Sequence, residues 1–241
     1  MPKSLKQQIA PTIEAFKIYW PAILAIQICA LFVLLAYYFV DGAEAFFIQV
    51  ADWKERGGVA FAAIATVVSA GILSEAFKRS LRKPNQSTPS NRELLHQLVM
   101  WAGIGILVDW FYQVQSRLFG DTTDIGTLVI KVLCDQLIFT PLISLPFVVI
   151  WMLLYEKRYN LRAWSAAIRL PLLSERVLQL WATVLSFWPV MLCIIYSLPG
   201  NLQFPLFLFA NSAFGILMIF VARRQTMAEE TSTEEISSSY S

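Results

Sequence analysis

The chain has 241 residues, of which 57% are hydrophobic and 15% charged, and its mean hydropathy is +0.57. Soluble domains carry about 25% charged residues, so this composition excludes an ordinary water-soluble globule and makes lipid the solvent for most of the chain. The length suits one helical bundle without a sizeable soluble domain beside it, and a net charge of +2 says less than the placement of the charges.

The N-terminal stretch Met1–Ile18 is too polar for a signal h-region, and the apolar run after it is too long and lacks a small-residue cleavage site. The first helix is therefore expected to be retained. A helix needs about 20 apolar residues to cross the hydrocarbon. Six segments qualify: Ile18–Val40, Gly57–Phe77, Leu94–Val114, Thr127–Tyr155, Val177–Leu198 and Phe204–Val221. Helix is the required form, because an isolated strand leaves its backbone unsatisfied in lipid. The fold class is thus all-α, a polytopic membrane bundle of about six transmembrane helices. Pro141 and Pro146 are placed to kink the long fourth span, and Pro189 to bend the fifth. Pro199, Gly200 and Asn201 mark a turn between the last two.

Fifteen of the 19 Lys and Arg residues fall on the N-terminal segment, the even-numbered loops and the C-terminal flank. Lys54, Arg56 and Arg117 fall on the other side, and Lys131 lies within a span. This asymmetry predicts both termini on the cytoplasmic-type side and an even number of spans. Asn160–Glu175 has apolar residues at helical spacing beside Arg162 and Arg169, the pattern of an amphipathic segment on the membrane surface. The Lys83–Asn91 loop reads as a flexible linker and the acidic, Ser-rich tail as disordered.

An ionised group at the bilayer centre costs several kcal/mol, so intramembrane charges face a bundle interior or a water-filled cavity. Lys131 and Asp135 are four residues apart on the fourth span, share a face and are spaced to pair, with Gln136 adjacent. They form either an ion pair that holds helices together or a polar constriction on a pathway. Asp109, before the Trp110-Phe111-Tyr112 belt, is either an interfacial acid with a neighbouring cation or part of the same polar core. Glu75, near Lys78 and Arg79, reads as a helix-end residue facing headgroups. Gly58, Ala62, Thr66 and Ala70 recur every fourth residue and predict a close helix-packing seam, either internal or between copies of the chain. Trp188 and Pro189 are expected to anchor a bend, and Asn211 to make an interhelical hydrogen bond.

No GxSxG, P-loop, dinucleotide fingerprint or HExxH motif occurs. His96 is the single histidine, read as an interfacial residue, and Cys29, Cys134 and Cys193 have no pairing pattern and read as reduced core thiols. No catalytic residue, metal ligand or cofactor is expected. The basic residues are absorbed by topology, so no nucleic-acid partner is expected either; the partners are the lipid bilayer and, for a pore, small solutes or ions.

Three groups of residues resemble a known family. Lys131, Asp135-Gln136 and Pro141 match its central motif. Arg92, Gly105, Phe111-Tyr112, Leu118 and Gly120 match the segment before it, and Trp188-Pro189 with Pro199 match its C-terminal signature. The chain resembles the family of the 22-kilodalton peroxisomal membrane protein and the mitochondrial inner-membrane protein Mpv-seventeen, as a divergent member. It departs from the pattern at Gly105-Ile106 (Gly-Pro in the family), at Asp109 (often His) and at Ser74-Glu75 (Gly-Asp). The closing Trp-Asn is absent near Phe214-Gly215. The resemblance implies an N-terminal segment with an extra transmembrane helix (1–56), a family-like membrane core (57–222) and the tail (223–241). It also implies no cofactor and a mitochondrial inner or peroxisomal membrane, although the added helix would suit a bacterial inner membrane. With the intramembrane charge, it leads to the expectation of a small channel or metabolite pore with a polar element at Lys131 and Asp135. The alternative is a non-conducting structural or accessory protein affecting metabolite or reactive-oxygen balance.

Overall fold

The computed structural model describes residues 5–80 and 89–216. Every regular element among the described residues is helical. In chain order these are α1 (Leu5–Phe39), α2 (Ala43–Thr66), a π-helical stretch Val67–Ile72, α3 (Leu73–Ser80) and α4 (Asn91–Phe119). There follow α5 (Ile125–Cys134), a second π-helical stretch Asp135–Ser144, α6 (Leu145–Glu156), α7 (Leu161–Ala167), α8 (Leu170–Leu185) and α9 (Trp188–Tyr196). A further helix, α10, covers residues 200–216.

Four helical runs are long and apolar enough to cross a membrane: Trp20–Phe39, Phe47–Ser80, Asn91–Phe119 and Ile125–Glu156. Helices α8 and α9 make a fifth if taken as one broken span with a 61° bend. Several such helices are the signature of a multi-pass membrane protein. Of the expected sixth span, residues 204–216 lie in α10 and 217–221 are outside the described residues. So are the tail and most of the Lys83–Asn91 linker.

Local chemistry sets the helix starts. The side chains of Ser90, Asp124 and Asn160 accept from the backbone N–H three residues on, at 3.2, 3.0 and 3.1 Å, which satisfies donors that a helix start leaves orphaned. Asp124 also accepts from the Thr122 hydroxyl at 2.7 Å. Hydrogen bonds from Thr127 and Thr122 hold its carboxyl below the usual carboxylate range, so this cap is present above the ordinary Asp pKa and lost as acid protonates it. Gly120 (φ 75°) ends α4.

Three of the four small residues at this spacing are buried, and two of them lie close against α4. Ala62, Thr66 and Ala70 are buried and α2 packs on α4. A Cβ on Gly105 would lie 2.4 Å from both the Ala62 carbonyl oxygen and Thr66 Oγ1, so the seam is internal to the bundle. Gly58 is not part of it. It is exposed and breaks α2 with φ 50° and ψ −132°, a conformation open almost only to glycine.

Pro141 does not sharply kink the fourth span. The chain passes it as the π-helical stretch Asp135–Ser144. In a π ladder the bond lost to the missing Pro141 N–H is the one to the carbonyl five residues back, Gln136. That carbonyl accepts instead from Trp181 Nε1 at 2.9 Å. Trp181→Phe is therefore expected to destabilise the bundle by about 1 kcal/mol, read as a shift in reversible unfolding in mixed micelles. Unchanged stability would mean that another donor serves this carbonyl.

The chain breaks between α8 and α9 at Phe187, before Pro189, which sits in the first turn of α9. Broken backbone in lipid needs new partners. Gln27 on α1 donates to the Phe187 carbonyl at 3.2 Å, and the Tyr38 hydroxyl donates to the Ser197 carbonyl at 2.8 Å. Helix α1 is thereby tied to the break, where Trp188 packs against the rings of Phe187, Phe207 and Phe214. The amphipathic stretch docks on the bundle rather than only lying on lipid. Trp164, Ile168 and Leu172 pack around Leu145, Val149 and Leu153, and Trp164 Nε1 donates to the Ile150 carbonyl. Arg176 clamps Glu156 through two bonds of 2.7 and 3.1 Å. All three cysteines are free, but Cys29 is exposed rather than in the core.

Candidate functional site

Asp135 opens the π-helical stretch and is buried. Its carboxylate accepts from three side chains. Thr140 Oγ1, one π turn later, and Gln136 Nε2 each reach Oδ1 at 3.1 Å. The Tyr196 hydroxyl on α9 reaches Oδ2 at 2.8 Å. Three donors to one carboxylate are what a low-dielectric interior requires of a buried acid.

Lys131 does not pair with Asp135. It is 1% exposed, and its ammonium lies 3.5 Å from Asp121 Oδ1. Asp121 in turn lies against the start of α10, where a Cβ on Gly200 would meet its carboxylate at 2.6 Å. The lysine side chain therefore leaves the shared face and runs to the loop before α5, where a half-exposed carboxylate keeps one end of the pair near water. The Lys131 carbonyl accepts from Gln115 Nε2 at 3.0 Å.

Asp109 makes a second, separate ion pair. Lys54 Nζ on α2 is 2.7 Å from its Oδ1, and Gln113 Nε2 donates to Oδ2 at 2.9 Å. The Lys54 ammonium also lies 5.7 Å from the Phe204 ring centroid. Asp109 is thus the partner of a neighbouring cation and not a member of the Asp135 cluster.

Three cavities lie along α4: the first two on one face of it, the third reached at Tyr112 and turning to the side that carries Gln113 and Arg117. The first, of about 470 Å³, is lined by Glu93, His96 and Gln97 of α4 with Glu75, Lys78 and Glu156. The second, of about 260 Å³, is lined by Ile104, Val108 and Tyr112 with Asp135, Gln136, Thr140, Trp188 and Asn211. These two share Met100, Trp101 and Phe214 as walls. The third, of about 290 Å³, holds Lys54, Gln113, Ser116, Arg117 and Asn201 and shares Tyr112 with the second. The α4 residues step from Glu93 to Arg117, which at 1.5 Å per residue is about 36 Å, against a hydrocarbon core of about 30 Å. Most of the charged side chains line the end cavities, and the middle one is mainly apolar with Asp135 in its lining.

Of the four residues expected to form one polar core, Asp135 and Gln136 line the central cavity, while Lys131 and Asp109 line none of the three. Glu75 is a buried wall residue paired with Arg79 at 2.9 Å rather than a headgroup contact. The Nδ2 of Asn211 has no hydrogen-bond partner, against the expectation of an interhelical bond. Sequence reasoning missed Tyr196, 61 residues from its partner, and Thr140, which an i, i+5 spacing beside a proline could have indicated. It also missed the setting of His96. That ring is buried; it stacks on Trp151 at 5.0 Å, places Nε2 3.1 Å from the Trp151 carbonyl and Nδ1 3.0 Å from the Tyr159 hydroxyl. A carbonyl only accepts, so Nε2 carries the proton and a neutral Nδ1 accepts from Tyr159. Tyr159 itself has φ 61° and carries the Arg92 guanidinium 4.3 Å over its ring.

No known protein family, curated protein or solved structure matches the chain.

Proposed function

We propose that the protein is a small-solute channel or metabolite pore whose path follows α4 through the three cavities. The observation that carries this reading is their succession along α4: the first two share Met100, Trp101 and Phe214, the second meets the third at Tyr112, and charged residues line both ends with a polar cluster at Asp135 between. Charged mouths and an apolar waist favour neutral solutes over ions, because an ion in the middle cavity would exchange its water for mostly hydrocarbon. Tyr112, and Trp101 with Phe214, each common to two neighbouring cavities, stand where gates would be. The charge asymmetry of the sequence supports six spans with both ends on the cytoplasmic-type side. The Lys131 to Pro141 motif supports a place as a divergent relative of the Mpv-seventeen family, and with it a mitochondrial inner or peroxisomal membrane.

The test is swelling of liposomes that hold the purified, correctly inserted protein, with urea, glycerol and chloride as solutes. Neutral-solute flux above that of empty vesicles, with altered selectivity in Asp135→Asn, is the expected result. Silence from folded protein overturns the pore reading. One observation favours the second reading, a non-conducting accessory protein: the Asp135 carboxylate is fully engaged by three donors, as a structural staple would be. On that reading Asp135→Asn lowers stability and no solute passes.

A further inference from the structure

Arg117 lines the third cavity together with Lys54, Gln113, Ser116 and Asn201. Lys54 is already neutralised there: its ammonium lies 2.7 Å from Asp109 Oδ1, and Gln113 Nε2 donates to the other carboxylate oxygen. Arg117 has no ion-pair or hydrogen-bond partner among the described residues. Asp121 stands beside Gly200 at the start of α10, but its carboxylate faces the Lys131 ammonium. The cavity therefore carries one uncompensated positive charge. That charge ends a stripe along α4. Val99, Ile106, Trp110, Gln113 and Arg117 follow at intervals of seven, four, three and four residues, so they share one helix face. All five are exposed, and the first three are apolar. At 1.5 Å per residue Arg117 stands about 16 Å beyond Ile106, half of a hydrocarbon core of about 30 Å. The stripe is thus apolar through the depth of one leaflet and turns polar, then cationic, at headgroup level.

From this we infer that the third cavity binds the phosphodiester headgroup of an anionic lipid, whose acyl chains lie over Ile106 and Trp110. The guanidinium of Arg117 presents a planar fork of N–H donors that matches two phosphate oxygens. The Ser116 hydroxyl and the Asn201 amide serve phosphate oxygens or headgroup hydroxyls, whichever way the amide is turned. One net positive charge suits a singly charged phosphodiester, whereas a zwitterionic headgroup would also bring its own cation towards Arg117 and Lys54. Inorganic phosphate shares the recognition chemistry but gains nothing from the apolar stripe. The site does not depend on the pore reading; on that reading a headgroup seated here narrows one mouth of the path.

The test is native mass spectrometry of the full chain in detergent micelles, supplied with equal amounts of phosphatidylglycerol and phosphatidylcholine. Preferential retention of phosphatidylglycerol is expected. Arg117→Gln should weaken that retention about tenfold, the worth of a charge-assisted hydrogen bond. Arg56→Gln removes an exposed arginine that does not line the cavity and should leave retention unchanged. Arg117→Lys keeps the charge but loses the fork, and should fall between wild type and Arg117→Gln; it carries the test if the glutamine variant does not fold. Inorganic phosphate, titrated into the protein in phosphatidylcholine nanodiscs and followed by phosphorus NMR, reads the soluble source. The inference is overturned by no preference for phosphatidylglycerol, by equal losses in Arg117→Gln and Arg56→Gln, or by saturable binding of inorganic phosphate that phosphatidylglycerol does not displace. Lipid retention without liposome flux overturns the pore reading alone; flux without selective retention overturns this inference alone.

Discussion

Asp135→Ala is expected to destabilise the folded protein by about 3 kcal/mol, the largest effect of any single polar substitution in the bundle. The carboxylate is the shared acceptor of Tyr196, Thr140 and Gln136. Removing it leaves three buried donors without partners, each costing about 1–3 kcal/mol. The relief of no longer burying a carboxylate offsets part of that sum. Asp135→Asn keeps an oxygen for two of the donors and should cost about 1 kcal/mol. Reversible unfolding in mixed micelles, followed by circular dichroism, measures both. Tyr196→Phe removes one of the three bonds, so the double variant with Asp135→Ala should lose less than the two singles together. Strict additivity would mean that the Tyr196 bond contributes nothing, and the account of Asp135 as the pin between the fourth and fifth spans would fall.

Gly105→Val is expected to cost about 3 kcal/mol or more, because the clash includes main chain. A Cβ there meets the Ala62 carbonyl and Thr66 Oγ1 at 2.4 Å. The carbonyl is main chain, and Thr66 Oγ1 sits on a short β-branched side chain whose own Cβ would be 2.7 Å away, so α2 and α4 must separate and lose the close contact that small residues permit. Gly103, two residues earlier and on the roughly opposite face of the same helix, provides the comparison. Its added Cβ would meet the tip of the Phe147 ring at 2.5 Å, and a ring can swing aside. Gly105→Ala should therefore destabilise clearly more than Gly103→Ala in the same unfolding assay. Equal losses would show that the α2–α4 seam is not rigid.

The contrast between Lys131 and Asp135 shows how far a sequence reaches. Their spacing, burial and exclusion from lipid were all legible, because an ionised group in an apolar run has few places to go. Their pairing was not. Side chains four residues apart on a helix face each other only if nothing better is available, and Asp121 and Tyr196 were better. Asp121 is ten residues before Lys131 across a turn, and Tyr196 is 61 residues after Asp135; no local period reports either. The seam at Ala62, Thr66 and Ala70 was visible as a repeat of small residues. Gly58 fits that repeat by spacing but left it by backbone, since a positive φ turns the chain away.

The sequence by itself determined the solvent, the helical class, the approximate positions of the spans and the presence of charge among them. Those follow from apolar run length and the obligation of every backbone group in lipid to bond within its own helix. Only the tertiary structure decided which buried groups meet, and that the chain passes Pro141 as a π-helical stretch. These depend on contacts between distant segments, whose free energies are set by packing and desolvation rather than by any residue's neighbours in the chain.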